Sequence, residues 1–164
     1  MTSYIALLRA VNLGPYNKVP KEVLTGTATA LGYTRARTYI ASGNLLFDAD
    51  ADEATVKAAL EAKLSASVMI RTAAELAAIR DANPFPQAPG NRVVAILLDA
   101  APPGDALDHA RHVAGEELAL GTREIYVRYT DSGMAQSKLA IPAAKAGTGR
   151  NMNTIARLAD LAAA

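Results

Sequence analysis

The first long apolar run, Tyr4-Ile5-Ala6-Leu7-Leu8-Arg9-Ala10-Val11-Asn12, is broken only by Arg9 and predicts a strand buried on both faces. A loop carrying Gly14 and Pro15 follows. Pro20 is placed to be the first residue of a helix, with Val23, Leu24, Thr27, Ala28 and Leu31 as its apolar stripe and Gly32 as its end. Two short strands are predicted over 37–41 and 44–47, joined by a Ser42-Gly43 turn. Asp50 and Glu53 have capping-box spacing and open a second helix, whose stripe is Val56, Ala59, Leu60 and Leu64. Val68-Met69-Ile70 makes a fourth strand. The order β-α-β-β-α-β is the ferredoxin-like pattern, which puts the first and third strands at the centre of a sheet with both helices on one face. Leu7 and Leu46 are therefore expected to be buried.

The pattern then starts again. Thr72 and Glu75 form another capping box, opening a helix that turns Leu76 and Ile79 inward and stops at Asn83-Pro84-Phe85-Pro86. Residues 84–91 are the best candidate linker. A buried-type strand is predicted over 92–98, a helix over 105–114, strands over 117–120 and 124–129, and a closing helix over 152–162. The second half reads as an altered copy of the first without an obvious last strand. The expected fold class is α+β: a ferredoxin-like βαββαβ module over residues 1–72, followed by a second, altered ferredoxin-like module over 73–164 that ends in a helix.

Composition narrows the chemistry. The 164 residues include no cysteine, which removes disulfides, thiolate metal sites and thiol catalysis and fits a reducing compartment. The first residues run straight into a strand without the basic and apolar segments of a leader, and no apolar run has the length of a membrane helix, so the expected location is cytoplasmic. The net charge of +1 does not indicate a general nucleic-acid binder. Its distribution is uneven: residues 1–50 carry five basic and three acidic side chains, 51–121 six and ten, and 122–164 six and three. If the two ends meet, they make one basic face.

Arg9, read as lying inside an apolar strand, needs either a structural ion-pair partner or a ligand. The loop with Asn12, Asn17 and Lys18 has the groups to hold an anion, and equally the composition of an ordinary turn. Near the other end, Gly147-Thr148-Gly149 reads as a flexible lead into Arg150-Asn151, with Asn151 or Asn153 capping a helix whose apolar stripe is Met152, Ile155 and Ala159. A helix start of that kind attracts anions, and Arg150 adds a two-pronged donor. His109 and His112 lie three apart on the predicted helix beside Asp105 and Asp108, a spacing that can hold a metal, but no further histidine completes a set. No nucleophile-elbow, Walker or dinucleotide signature is present. The module order is shared with RNA-recognition motifs, yet the third strand offers only Phe47 as an aromatic, and core packing accounts for it.

Several short motifs recur in order along the chain: Arg9-Ala10-Val11-Asn12, Gly14, Asn17-Lys18, Tyr39, Ser42-Gly43-Asn44, Phe47, Asn83-Pro84-Phe85, Ser137-Lys138-Leu139 and Arg150-Asn151-Met152-Asn153-Thr154. Together they resemble the signature of a bacterial family, the domain of unknown function 1697 family. The resemblance implies two ferredoxin-like modules in tandem and supplies no established activity. The sequence departs from the family pattern where Met152 replaces a usual tryptophan, where Ala10 and Pro15 replace common glycines, and in a short stretch before Arg150. The candidate ligand-binding set is Arg9, Asn12, Asn17, Lys18, Ser42, Asn44, Lys138, Arg150, Asn151 and Asn153. The expected function is binding or regulation through a small anionic or polar ligand, a nucleotide or phosphate-like group, held jointly by both chain ends. No metal and no cofactor is expected, nor a membrane partner. The competing readings are a metal-independent enzyme using the same cluster and a protein that contacts nucleic acid.

Overall fold

The computed structural model describes residues 1–9, 19–39 and 43–164. It has eight strands and four α-helices among them: β1 (Thr2–Leu8), α1 (Lys21–Ala30), β2 (Thr34–Thr38), β3 (Asn44–Ala49), α2 (Glu53–Leu64), β4 (Val68–Thr72), α3 (Ala73–Asp81), β5 (Val93–Leu97), β6 (Glu117–Leu120), β7 (Glu124–Arg128), β8 (Thr148–Asn151) and α4 (Met152–Ala163). They form two four-stranded sheets, ordered β2-β3-β1-β4 and β6-β7-β5-β8, and every pairing is antiparallel. The two orders are the same when the strands of each sheet are counted along the chain, so the second sheet repeats the topology of the first. The chain divides into two units: Met1–Leu76 with Leu158–Ala164, and Ala77–Arg157.

In the first unit β1 and β3 are central, and Leu7 and Leu46 are fully buried, as the strand pattern requires. Alternation sends Tyr4, Ala6 and Leu8, with Leu45, Phe47 and Ala49, to one face, where Leu24 and Ala28 of α1 and Val56 and Leu60 of α2 pack on them. Phe47 stacks on Tyr33 with ring centroids 4.9 Å apart and is core, as expected. The opposite face is buried as well, at Ile5, Leu7, Leu46, Met69 and Arg71. Part of its cover comes from the chain's own end. Arg37 pairs with Leu46 across the β2–β3 ladder and donates to the Leu161 carbonyl at 2.7 Å, and Arg35 donates to the Ala164 carbonyl at 2.9 Å. Two guanidinium groups on carbonyls in the last turn of α4 and just past it satisfy acceptors that a helix end leaves open and complement its dipole.

Several local expectations shift. Val23 of α1 is 48% exposed rather than part of the stripe, and Pro20 precedes the helix instead of opening it. The cap of α2 is Asp52, whose side chain accepts from the Thr55 N–H, not Asp50. The Thr72–Glu75 capping box forms in full, Thr72 N–H to Glu75 Oε1 at 2.8 Å and Glu75 N–H to Thr72 Oγ1 at 3.1 Å.

The second unit departs further. The helix predicted over 105–114 is a single 3₁₀ turn, Ala106–His109, after which the backbone turns extended at Ala110. The chain is diverted because Arg111 pairs with Ala140 in both directions, N–H to carbonyl at 2.8 and 3.0 Å. The missing last strand does exist: Thr148–Asn151 pairs along β5. In its Thr-Gly-Arg-Asn sequence only Thr148 favours a strand while Gly149 and Asn151 disfavour one, so backbone pairing with an existing edge makes it a strand. The glycine just before it reflects close approach rather than flexibility. A Cβ on Gly147 would lie 2.7 Å from Ile96 Cγ2 and 2.9 Å from the Leu97 carbonyl oxygen.

Candidate functional site

The first cluster of candidate residues gathers at one end of the first sheet. Because β1 and β3 are antiparallel neighbours, the end of β1 meets the start of β3: Leu7 pairs with Asn44, and the Leu8 N–H donates to the Gly43 carbonyl at 2.8 Å. Arg9 follows immediately. It is not buried as the apolar run implied, since β1 ends at Leu8 and Arg9 is exposed beyond it. Its own N–H donates to the Ser67 carbonyl at 3.0 Å, which fixes its backbone to the segment entering β4. Asn44 is buried and works on the turn: its side-chain amide donates to the Tyr39 carbonyl at 3.1 Å, while its own carbonyl accepts from the Tyr39 N–H at 3.1 Å. Asn44 thus positions the β2–β3 connection rather than presenting a ligand-binding group. Asn12, Asn17, Lys18 and Ser42 lie outside the described residues.

The second cluster is dispersed. Arg150, on β8 opposite Ala95, shares the face of Ala95 and Leu97. It donates to the Gly149 carbonyl at 2.8 Å. Burial lowers its guanidinium from the ordinary value to about 10, which leaves it charged at neutral pH. The Asn151 side chain accepts from the Thr154 N–H at 2.9 Å and is the helix cap. Asn153 is exposed, with its side-chain oxygen only 2.0 Å from where a Cβ on Gly90 would stand. Lys138 is exposed and lines a cleft of about 400 Å³ with His112, Glu116, Thr130 and Ser137, in which Arg150 takes no part. The expectation of one pocket joining Arg150 to Lys18 rests on a residue outside the described ones.

Position 152 is settled by packing. Met152 is 6% exposed, in line with Ile155, Leu158 and Ala159 on the buried side of α4, so this position offers no aromatic platform to a ligand.

The Ser137-Lys138-Leu139 motif is built around a carboxylate that sequence reading missed. The Ser137 hydroxyl donates to Glu116 Oε2 and accepts from the Leu139 N–H at 3.2 Å, and the Ala114 N–H donates to Glu116 Oε1. The Ser137 hydroxyl first, then the Ala114 N–H, hold the Glu116 carboxyl below its ordinary value. Nothing at the level of spacing marks Glu116, because its partner is 21 positions away. The two histidines do not share a helical face: His109 pairs with Asp105 at 3.2 Å, whereas His112 has a positive φ of 59° and lines the cleft of Lys138. Among the described residues no group of three or more ligating side chains is arranged to hold a metal ion, and no helix is long and apolar enough to cross a membrane.

Comparison with known proteins agrees with this architecture. The solved structure of the conserved bacterial protein SP0830 from Streptococcus pneumoniae superposes with a TM-score of 0.79, covering 100% of this chain and 99% of that one at 21% identity. At that identity the likeness is one of fold. No curated protein matches the chain. A family model described as "Protein of unknown function (DUF1697)" matches residues 1–126, all of the first sheet and most of the second. The chain belongs to that family of proteins of unknown function.

Proposed function

We propose that this protein binds a small phosphate-bearing ligand at the end of β1 and β3 in the first unit, and that Arg9 supplies the main charge. The observation that carries this is the meeting of two motif segments at adjacent central strands: Arg9 leaves β1 where Gly43 and Asn44 enter β3, tied by the 2.8 Å Leu8–Gly43 bond. Central strand ends are rigid because they are paired on both sides, so side chains that leave them are held in register. An exposed guanidinium there can donate to two phosphate oxygens at once. The amino-terminal segment is net positive, since residues 1–50 have five basic and three acidic side chains, and Lys18 belongs to the same sequence motif as Arg9. Asn44 serves from the start of β3, where its side-chain amide donates to the Tyr39 carbonyl.

Thermal unfolding with inorganic pyrophosphate and with ATP tests the reading. A ligand at about 100 times its dissociation constant stabilises the native state by about 2.7 kcal/mol, and the wild-type Tm rises accordingly. In Arg9→Ala the rise is expected to vanish while the ligand-free Tm stays within about 2 °C, because this exposed side chain contributes little to stability, and in Lys18→Ala the rise is expected to fall as well. An unaltered rise in Arg9→Ala, or no rise with either ligand in the wild type, overturns the proposal. Turnover of the bound nucleotide would extend it to catalysis.

A further inference from the structure

The second unit carries its own opening, and it arises from what replaces the helices. In the first unit two α-helices of 10 and 12 residues cover one face of the sheet. In the second, the corresponding face of β5 and β7 presents Ile96, Leu98, Ile125 and Val127 and is covered by the 3₁₀ turns Ala106–His109 and Pro142–Ala144 with the segments beside them. A 3₁₀ turn rises about 2 Å per residue, so pieces of three or four residues span less than half the length of a 12-residue helix. They leave a groove of about 570 Å³ over the sheet. That volume lies in the range of small-molecule sites.

Its lining is sorted by chemistry. Ile96, Leu139 and Ile141 make an apolar floor, Tyr129 stands at the side, and Arg111 and Lys145 are the charged residues; no acidic side chain lines it among the described residues. Arg111 is exposed, held in place through its backbone pairing with Ala140, and no carboxylate pairs with its guanidinium among the described residues. The Tyr129 N–H is anchored on the Arg92 carbonyl at 2.7 Å, while its hydroxyl meets no partner among the described residues. Burial first, then the Glu116 charge, raise the Tyr129 phenol, so it stays a neutral hydrogen-bond donor. Glu116 itself is turned to the neighbouring cleft and held by Ser137.

An apolar floor beside two cations and an unused hydroxyl donor fits one class of ligand. We propose that this groove binds a small amphiphilic carboxylate, with the hydrocarbon or aromatic body on Ile96, Leu139 and Ile141 and the carboxylate between Arg111 and Lys145. Charge complementarity selects an anion, and the floor selects against a fully hydrophilic one such as free phosphate. The site is separate from the one proposed at Arg9 and does not rest on it.

The test uses the full chain with octanoate, monitored by displacement of the fluorescent anion 8-anilinonaphthalene-1-sulfonate and by calorimetry. Octanoate is expected to bind at least tenfold more tightly than octanol and to displace the dye. Arg111→Glu with Lys145→Glu is expected to weaken it at least thirtyfold, and Arg111→Gln alone three- to tenfold, with circular dichroism unchanged because both side chains project from the surface. Arg9→Ala is expected to bind octanoate as the wild type does. Equal binding of octanol and octanoate, an undiminished affinity in the double variant, or an equal loss in Arg9→Ala would each overturn the assignment.

Discussion

Replacing Leu46 by alanine is expected to destabilise the first unit by about 3–5 kcal/mol, at the upper end of what a buried leucine costs. Leu46 lies on central strand β3, is fully buried, and sits between Ile5 of β1 and Arg37 of β2 in the ladder. Its face is the one opposite α1 and α2, and a paired, fixed sheet cannot collapse into the space left by the missing methyl groups. The cost is therefore the lost transfer free energy together with most of the cavity term. Urea unfolding should show the midpoint falling with the slope unchanged. A loss under about 1 kcal/mol would mean that this face of the sheet is open to water.

Removing Leu158–Ala164 is expected to have an effect of similar size, about 3–5 kcal/mol, or roughly 10 °C in Tm for a chain of this length. Leu158 is fully buried, and Ala159 and Ala162 are 3% exposed, so the deletion strips apolar cover. It also takes away the carbonyl acceptors of Leu161 and Ala164, leaving Arg35 its ion pair with Asp48 and Arg37 its bond to the Arg35 carbonyl. Arg37 suffers more: burial, with the neighbouring Arg35 charge second, already pulls its guanidinium below the ordinary value. Arg37→Ala alone should cost about 1–3 kcal/mol as a lost charged hydrogen bond. Calorimetry of the truncated chain checks this. A Tm within 2 °C of the full chain would show that Leu158–Ala164 is an ornament to the first unit rather than part of it.

Much of the first sheet was legible because local and global signals agree there. The apolar runs of β1 and β3, the stripe of α2 and the Thr72–Glu75 box each specify the same element that the tertiary structure demands. The second half was read less well because its elements depend on distant partners. Thr148–Asn151 is a strand only because β5 offers it an edge, and residues 110–114 leave the helical path only because Ala140 captures Arg111. Arg9 was misread as buried by one residue, since composition continues apolar through Val11 while β1 ends at Leu8. Among the candidate site residues, Asn44 and Asn151 turn out to hold a turn and a cap, the ordinary work of asparagine. The groove of Arg111, Tyr129 and Lys145 left no trace in the sequence, because non-local strand pairing alone assembles it from residues up to 49 positions apart.

We propose that the strand ends around Arg9 form a phosphate site. Its most direct test is a backbone-amide NMR titration of the full chain with pyrophosphate and ATP. The amides of Leu8, Arg9, Gly43 and Asn44, and those of Ser67 and the segments 10–18 and 40–42, should shift together and saturate with a single affinity, and Arg9→Ala should leave them unmoved. Shifts that spare these amides, or that appear only around Arg111 and Lys145, would contradict it.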